Sequence, residues 1–264
     1  MHPFPPTPSL ADAPADRFEQ GHLWLQEWVV GAPLRFRLDE AGLIFGDADR
    51  IFDAWDEPTG YGHAVRWVRS RFDEEAFRAE VDATGEYTFL GIATRNEGIN
   101  YDWDSLPGFL GVDIYDTDGE VPPDIAERAF ERLGLDSLNT FKKEVPARDF
   151  RPDRHEVPES AWCDGPAAGT LVRNKRGERA VIHNPAVERE TPESIDAATL
   201  VDRELSPERI DRVASELGEQ ASVDAVLDRL VETLARRHYA ALDDSVDGAA
   251  IRSAAAEPVA RRLG

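Results

Sequence analysis

Hydrophobic and polar residues alternate in several segments of the first half of the chain, and this alternation predicts β-strands. Three such segments follow one another: HLWLQEWVV at 22–30, PLRFRL at 33–38 and AGLIFG at 41–46. Residues 86–90 and 109–115 are also predicted strands, and the second run is apolar enough to be central in its sheet. Turn residues separate the segments, so the pattern favours antiparallel strands.

Two segments of this region show helical spacing instead. Residues 66–81 place large apolar side chains among charged ones and predict one helix. Residues 125–133 follow a pair of prolines and stop at Gly134, which predicts a second helix. Strands and helices mixed in this order predict an α+β domain.

The last quarter of the chain changes character, because aromatic residues become rare beyond about Glu190 and helical periodicity takes over. A helix is predicted from the Ser-Pro pair at 206 to the glycine at 218, and a second over 223–234. A third is predicted over 247–262, broken or kinked at Pro258.

These patterns predict two domains and no internal repeat. Residues 1–189 form the α+β domain, which begins with a proline-rich extended segment at 1–14. Residues 190–264 form an all-helical domain. A chain of 264 residues is long enough for such a division.

Composition excludes several classes of protein. The chain has no run of about 18 apolar residues and its first residues do not resemble a signal peptide, so we expect a cytoplasmic protein without a membrane partner. Cys163 is the only cysteine, which excludes an internal disulfide. No two histidines are spaced i, i+4, so we expect no metal site. Neither a glycine-rich phosphate loop nor a GxSxG motif is present.

The formal net charge of −22 and the pI near 4.6 oppose nucleic-acid binding in dilute salt. Lysine occurs only at 142, 143 and 175, so 27 of the 30 basic residues are arginine. An acidic, lysine-poor chain is typical of a halophilic proteome, where molar salt screens long-range fields. The charge then reflects habitat more than partner.

Six segments, taken in order, resemble the RNA-ligase branch of the covalent nucleotidyltransferases, which also includes DNA ligases and mRNA capping enzymes. They are EWVVGAPLRF, IFGDADRIF, YTFLGIATR, INYDWDSLPGFLGVDIYD, VPESAWCDGPAAGTLVRN and RAVIHN. The resemblance covers roughly residues 3–187 and implies a ligase-type nucleotidyltransferase domain of antiparallel sheets with flanking helices. The helical tail is similar to the C-terminal domains that some RNA ligases carry.

The resemblance implies a nucleophile that this chain lacks. In the family, a lysine in a Lys-x-Asp-Gly segment attacks the α-phosphate of ATP with a divalent metal and forms a lysyl-adenylate. Aligned on Gly31, with Glu27 as the acidic residue that often precedes the lysine, the lysine position is Trp28 and the Asp position is Val30. An indole cannot form the phosphoramidate bond.

The other motifs show similar replacements. Ile92 stands where a glutamate after Gly91 would contact the ribose, and Ala168 stands where a glutamate would help to hold metal. Val181 stands where a lysine would touch the α-phosphate. The resemblance leaves six residual candidates for nucleotide contacts, namely Glu27, Gly31, Arg35, Gly91, Asp113 and Arg173.

Each candidate also has a purely structural interpretation. Trp28 is a typical core aromatic, and Asp113 is equally consistent with a structural and a ligand-binding role. The basic segment RNKRGER at 173–179 is typical of a solvated hairpin, although it is also the best phosphate-contact candidate.

The sequence therefore supports two main functions. The first is a non-catalytic protein that binds RNA or an RNA-processing protein and needs no cofactor. The second is an active RNA ligase that uses ATP and Mg²⁺ through a displaced lysine such as Lys175, or that accepts pre-adenylated RNA. A purely structural interaction module is the third class. In the non-catalytic case the replaced side chains are expected to converge in an apolar cluster, namely Trp28, Val30, Ile92, Ala168 and Val181.

Overall fold

The computed structural model describes residues 1–54 and 56–264, without the side chains of residues 15 and 16. Within these residues the strands are β1 (His22–Glu27), β2 (Ala32–Asp39), β3 (Gly42–Gly46), β4 (Thr88–Ala93), β5 (Phe109–Tyr115), β6 (Thr140–Pro146), β7 (Gly169–Asn174) and β8 (Arg179–His183). The α-helices are α1 (Gly62–Arg71), α2 (Glu74–Glu80), α3 (Pro123–Arg132), α4 (Ala197–Glu204), α5 (Pro207–Leu217), α6 (Val223–His238) and α7 (Gly248–Leu263).

The strands form two antiparallel sheets, which confirms the α+β prediction. The first sheet has the order β3-β2-β4-β5, and the second has the order β6-β1-β7-β8. Period-two alternation gives each sheet two different faces. On β4, Phe89 packs toward the helices and Ile92 packs toward the second sheet. On β7, Leu171 packs toward the first sheet.

Helices α1, α2 and α3 cover the outer face of the first sheet with an aromatic core. Phe36 on β2 stacks on Phe89 of β4, with ring centroids 4.8 Å apart. Phe109 and Phe130 join the same cluster and are fully buried. Buried aromatic rings contribute large apolar areas, so this core stabilises the first sheet and its helices together.

The last four α-helices pack on one another around a separate aliphatic core, as the helical periodicity predicts. Leu200, Leu230, Leu234, Ile251 and Val259 are among its buried members. Side-chain caps define several helix starts: the Ser222 hydroxyl, for example, accepts a hydrogen bond from the Ala225 amide at 3.1 Å. In the part of the chain that the structure describes, every helix is too short or too polar to span a bilayer.

Two predicted elements differ from the structure in their limits. The first strand ends at Glu27 because residues 28–31 carry the chain from the second sheet to the first. The single helix predicted over 66–81 is two helices. Phe72 has an extended backbone, and the Asp73 carboxylate accepts a hydrogen bond from the Ala76 amide at 2.8 Å, which starts a new helix.

The prediction that 109–115 is a central strand is wrong, because β5 lies at the edge of the first sheet. It is buried nonetheless, since α3 and the 136–138 segment cover it: the Gly111 amide donates to the Asp136 carbonyl at 2.8 Å. The sequence also missed β6, whose middle residues are polar and exposed. Pro258 does not break α7, which continues to Leu263.

Candidate functional site

The segment that links the two sheets contains Trp28, the position at which the family resemblance implies a lysine. The Trp28 amide donates to the Gly169 carbonyl at 3.0 Å, which fixes the segment against the start of β7. The Val30 amide donates to the Tyr101 hydroxyl at 2.9 Å. Gly31 approaches β4 so closely that a Cβ atom would lie 2.6 Å from the Ala93 carbonyl oxygen. Gly31 is therefore required by packing.

Four of the five positions at which the resemblance implies a replaced catalytic residue lie in one hydrophobic group between the sheets, which we name the intersheet cluster. Its buried members are Val29, Val30, Ile99, Tyr101, Leu106, Leu110, Leu138 and Leu171, and its partly buried members include Trp28, Ile92, Val112, Trp162 and Ala168. Residues from both sheets and from the 99–106 loop thus fill the space between the sheets with apolar side chains. A charged group placed here would lose hydration without gaining a partner.

Trp28 contributes the largest of the replaced side chains to this cluster. Its ring meets the His183 ring edge-on, with centroids 6.4 Å apart and an interplanar angle of 87°. Within the described residues, no acceptor lies within hydrogen-bond distance of the buried indole Nε1. The side chain is held by packing, in agreement with the structural interpretation of Trp28.

Val181 does not join the intersheet cluster. It lies opposite Leu171 in the register of β8 and β7 and is buried. Its backbone is occupied by the proline-rich N-terminal segment: the Val181 amide donates to the Pro8 carbonyl at 2.9 Å, and the Leu10 amide donates to the Val181 carbonyl at 2.8 Å. The N-terminal segment therefore covers the edge strand β8, where its free backbone groups would otherwise be exposed.

Glu27 is fully buried, and neutral donors satisfy its carboxylate. It accepts hydrogen bonds from the Asn139 side chain at 2.9 Å, the Ser160 hydroxyl at 2.6 Å and the Ala161 amide at 3.0 Å. These contacts fasten the end of β1 to two distant segments of the chain. The carboxylate is thus committed to a structural role, because its acceptor capacity is largely used within the protein.

Asp113 and Arg173 lie together in a buried network of two carboxylates and two guanidinium groups. Arg173 and Arg179 each form ion pairs with both Asp113 and Glu120, and the Arg179–Glu120 distance is 2.7 Å. The Tyr115 hydroxyl also donates to Glu120 at 2.9 Å. The prediction of a solvated hairpin is wrong for Arg173 and Arg179, which are only 1% and 6% exposed.

Arg179 and Glu120 are members of this network that the sequence motifs did not indicate. Arg173 and Arg179 lie opposite each other in the register of β7 and β8, so their side chains share the face that meets the first sheet. The strand pattern of β7 and β8 could have indicated this network, because it places two arginines on the buried face. Their two carboxylate partners are supplied by tertiary packing.

Gly91 and Arg35 have local structural partners as well. A Cβ atom on Gly91 would collide with the Phe109 ring and the Leu110 carbonyl. The Arg35 guanidinium donates to the His2 carbonyl at 3.0 Å, and the His2 ring stacks on Tyr115 with centroids 3.7 Å apart. The N-terminal segment therefore spans both sheets.

The three lysines lie away from the Trp28 position. Lys175 follows the end of β7, whereas Trp28 contacts its start, so six residues of strand separate them by roughly 20 Å. A hydrogen bond to Glu144 raises the pKa of the Lys175 amine, which keeps it protonated. Lys142 and Lys143 are exposed on β6, and Lys143 pairs with Glu127. Within the described residues, no group of three or more His, Cys, Asp or Glu side chains is arranged to hold a metal ion.

Known proteins resemble this chain in structure but not detectably in sequence. No family model and no curated protein matches the sequence. The structure is similar to an archaeal ATP-dependent RNA ligase, form 1, with 13% identity and a TM-score of 0.51 over 100% of this chain and 62% of that chain. Form 2 of that ligase gives 14% identity and a TM-score of 0.52 over 91% of this chain and 64% of the other.

A Naegleria gruberi RNA ligase with PPi is also similar, with 12% identity and a TM-score of 0.53 over 70% of this chain and 56% of that chain. This chain thus spans less than two thirds of the length of each of these ligase structures. At such low identity the likeness concerns the fold alone. The fold of this chain is the RNA-ligase-like nucleotidyltransferase fold.

Proposed function

We propose that this chain is a non-catalytic RNA-binding protein that retains an RNA-ligase-like fold and no longer forms a lysyl-adenylate. The intersheet cluster is the observation that carries this proposal. Trp28, Val30, Ile92 and Ala168 belong to this cluster, at positions where the family resemblance implies one lysine and three carboxylates. Residues that would react with ATP or hold its metal are replaced by apolar side chains, which neither attack phosphorus nor ligate Mg²⁺.

The replacements do not fit a nucleoside triphosphate with Mg²⁺. A transferring phosphoryl group needs cations or a metal around its developing charge, and Mg²⁺ needs oxygen ligands. The nearby charged groups, Asp113 and Glu120, are already neutralised by Arg173 and Arg179. A triphosphate that entered the cluster would have to displace packed apolar groups and break buried ion pairs.

The alternative of an active ligase with a displaced lysine has less support. Lys175 lies at the far end of β7, and its raised pKa disfavours the deprotonated amine that attacks phosphorus. Use of pre-adenylated RNA would avoid the lysine but would still require room for the adenylate. We propose that the protein acts in the cytoplasm of a halophilic organism. Its two proposed domains are residues 1–189 and 190–264.

Two assays test the loss of catalysis. Purified protein is incubated with α-labelled ATP and Mg²⁺ or Mn²⁺ at about 2 M KCl, and then separately with pre-adenylated RNA and an acceptor strand. We expect no covalent adenylate by denaturing gel or intact mass, and no ligated product. Circular dichroism before and after incubation establishes that the sample is folded.

A third assay measures binding of labelled single-stranded RNA by fluorescence anisotropy. Binding without adenylation supports the proposal. An adenylate on any of the three lysines, or ligation of pre-adenylated RNA, would show an active enzyme. Absence of RNA binding by folded protein would instead favour a protein partner, which a pull-down would then identify.

A further inference from the structure

A pocket outside the intersheet cluster collects positive charge on this acidic chain. It lies between α1, the 103–106 loop, α5 and α6, and its volume is about 320 Å³. Six arginines line it, and we name it the arginine pocket: Arg66, Arg209, Arg212, Arg229, Arg236 and Arg237. Its acidic lining residues are Asp104 and Glu216. This excess of cations is opposite in sign to the net charge of −22.

Some of these arginines are already committed to partners within the protein. Arg66 pairs with Glu232, Arg237 pairs with Asp104, and Arg209 lies 3.3 Å from Glu204. Arg212 and Arg229 differ from these three arginines in their partners. Neither Arg212 nor Arg229 forms an ion pair within the described residues, and Glu232 and Glu216 act on Arg229 only at longer range. Both guanidinium groups can therefore still contact a ligand.

Arg236 adds a buried charge at the base of the pocket. Its guanidinium donates to the Thr94 carbonyl at 2.8 Å and to the Leu106 carbonyl at 2.7 Å, which are neutral acceptors. Burial and the neighbouring Arg237 and Arg66 lower the pKa of Arg236 to about 10. It stays protonated near neutral pH. Among the described residues its guanidinium forms no ion pair, and Asp104 acts on it only at longer range.

Aromatic side chains stand beside these charges. Trp67 and Trp103 line the pocket, and so does His63. Within the described residues, the buried Trp67 Nε1 and His63 Nε2 have no hydrogen-bond partner. Guanidinium groups suit phosphate oxygens, and indole rings stack on nucleobases regardless of sequence. A ligand with a phosphate and a base would match the arginines and the indole rings that line the pocket.

We propose that the arginine pocket binds a phosphate and an adjacent base of single-stranded RNA, with Arg212 and Arg229 as the principal phosphate contacts. This inference rests on the proposed RNA-binding function and places it at a site. A volume of about 320 Å³ suits one nucleotide unit, since sites for small molecules begin at about 300 Å³. In molar salt the net negative charge is screened within about 3 Å, so direct arginine–phosphate contacts still act.

The test compares RNA affinity of matched charge variants. Fluorescence anisotropy with a labelled single-stranded oligoribonucleotide is measured across a KCl series for wild type and for Arg212→Gln with Arg229→Gln. The control combines Arg154→Gln with Arg261→Gln, two exposed arginines that do not line the pocket and give the same change in net charge. Thermal unfolding verifies that both proteins fold.

We expect the pocket variant to bind RNA about tenfold more weakly and its salt slope to fall by about 1.4, which corresponds to two lost phosphate contacts. The control should bind within about twofold of wild type. If Arg229→Gln destabilises the fold, Arg212→Gln alone should weaken binding by about threefold, because Arg212 is exposed.

The outcomes separate this inference from the proposed function. RNA binding that is equal in the pocket and control variants would overturn the arginine pocket as the site and leave the RNA-binding function intact. Absence of RNA binding by folded wild-type protein at every salt concentration would overturn both.

Discussion

Asp113 on β5 and Arg173 on β7 form an ion pair that joins the two sheets, with side chains that are only 1% and 2% exposed. Arg179 and Glu120 complete the network, so each carboxylate faces both guanidinium groups. The balanced charges explain how four ionised groups tolerate burial. Of the two roles that the sequence left open for Asp113, the structural role accounts for its contacts.

Substitution of Asp113 should therefore destabilise the fold strongly. Asp113→Ala leaves two buried guanidinium groups sharing one carboxylate, and loss of one partner from a buried ionic network typically costs about 3–5 kcal/mol. The free energy of unfolding is measured by urea denaturation at fixed KCl. Asp118→Ala, in an exposed turn nearby, is the control and should change stability by less than about 0.5 kcal/mol. Equal stability of the two variants would contradict a structural network.

Substitution of Gly31 tests whether close packing alone explains the glycine at this position. Gly31→Ala would place a Cβ atom 2.6 Å from the Ala93 carbonyl oxygen and from Ile92 Cγ2, and such overpacking costs about 1–3 kcal/mol. Gly85→Ala is the control because a Cβ atom there meets no atom within 4 Å. It should be neutral or stabilise by up to about 1 kcal/mol. A tolerated Gly31→Ala, by thermal unfolding, would argue against close packing at this turn.

The local patterns predicted most strands because alternation depends only on neighbouring residues. They failed where a longer-range interaction decides the outcome. The break between α1 and α2 depends on Asp73 capping a new helix, and β6 forms because β1 offers it a free edge. Neither the start of a new helix at Asp73 nor the pairing of β6 with β1 can be predicted from neighbouring residues alone.

The candidate site shows the same division. The non-catalytic hypothesis predicted one apolar cluster of five residues, namely Trp28, Val30, Ile92, Ala168 and Val181. The first four lie in the intersheet cluster, whereas Val181 lies outside it. The partners of Arg173, and the arginine pocket, depend on how separate elements pack, so sequence spacing could not reveal them.

The pH dependence of stability should reflect His63. Burial and neighbouring arginines lower the pKa of His63 to about 2, and its Nδ1 lies 3.1 Å from Arg66 Nη2. Below about pH 6.5 the unfolded chain therefore binds a proton that the folded protein does not. The free energy of unfolding should fall by up to about 1.4 kcal/mol per pH unit as the pH drops below 6.5, with no such contribution above it.

Urea denaturation between pH 7.5 and pH 4.5 measures this slope in wild type and in His63→Gln. The variant should lose stability less steeply because its side chain does not titrate. The exposed His22→Gln is the matched substitution, because it removes an imidazole outside the buried site. Identical slopes for His63→Gln and wild type would show that His63 protonates equally in both states.

Salt should stabilise the folded chain. At a net charge of −22, self-repulsion opposes the compact state, and KCl screens it. We expect the unfolding midpoint to rise from about 0.2 to 3 M KCl. Three exposed glutamates, Glu131, Glu156 and Glu219, are replaced by glutamine. This variant should have a higher unfolding midpoint at low salt and a smaller increase of the midpoint with KCl. A midpoint independent of salt would contradict the halophilic interpretation.

Arg236 should couple the C-terminal helices to the sheets. It lies on α6, and its side chain donates to carbonyl groups of Thr94, Trp103, Leu106 and Pro107, while the Asn96 amide donates to the Arg236 carbonyl at 2.8 Å. Arg236→Ala leaves several buried acceptors unsatisfied and should cost about 2–4 kcal/mol. The neighbouring Arg237→Ala is the matched control, because its pair with the exposed Asp104 contributes less than about 1 kcal/mol.

Hydrogen exchange distinguishes a coupling role for Arg236 from a general loss of stability. Because the lost contacts all lie in the 94–107 segment, Arg236→Ala should increase exchange there and at the end of α6 before it affects the aromatic core around Phe89. Arg237→Ala should leave the 94–107 segment close to wild type. Uniform acceleration throughout the protein would indicate that Arg236 supports global stability only, and that the helices and sheets unfold as one unit.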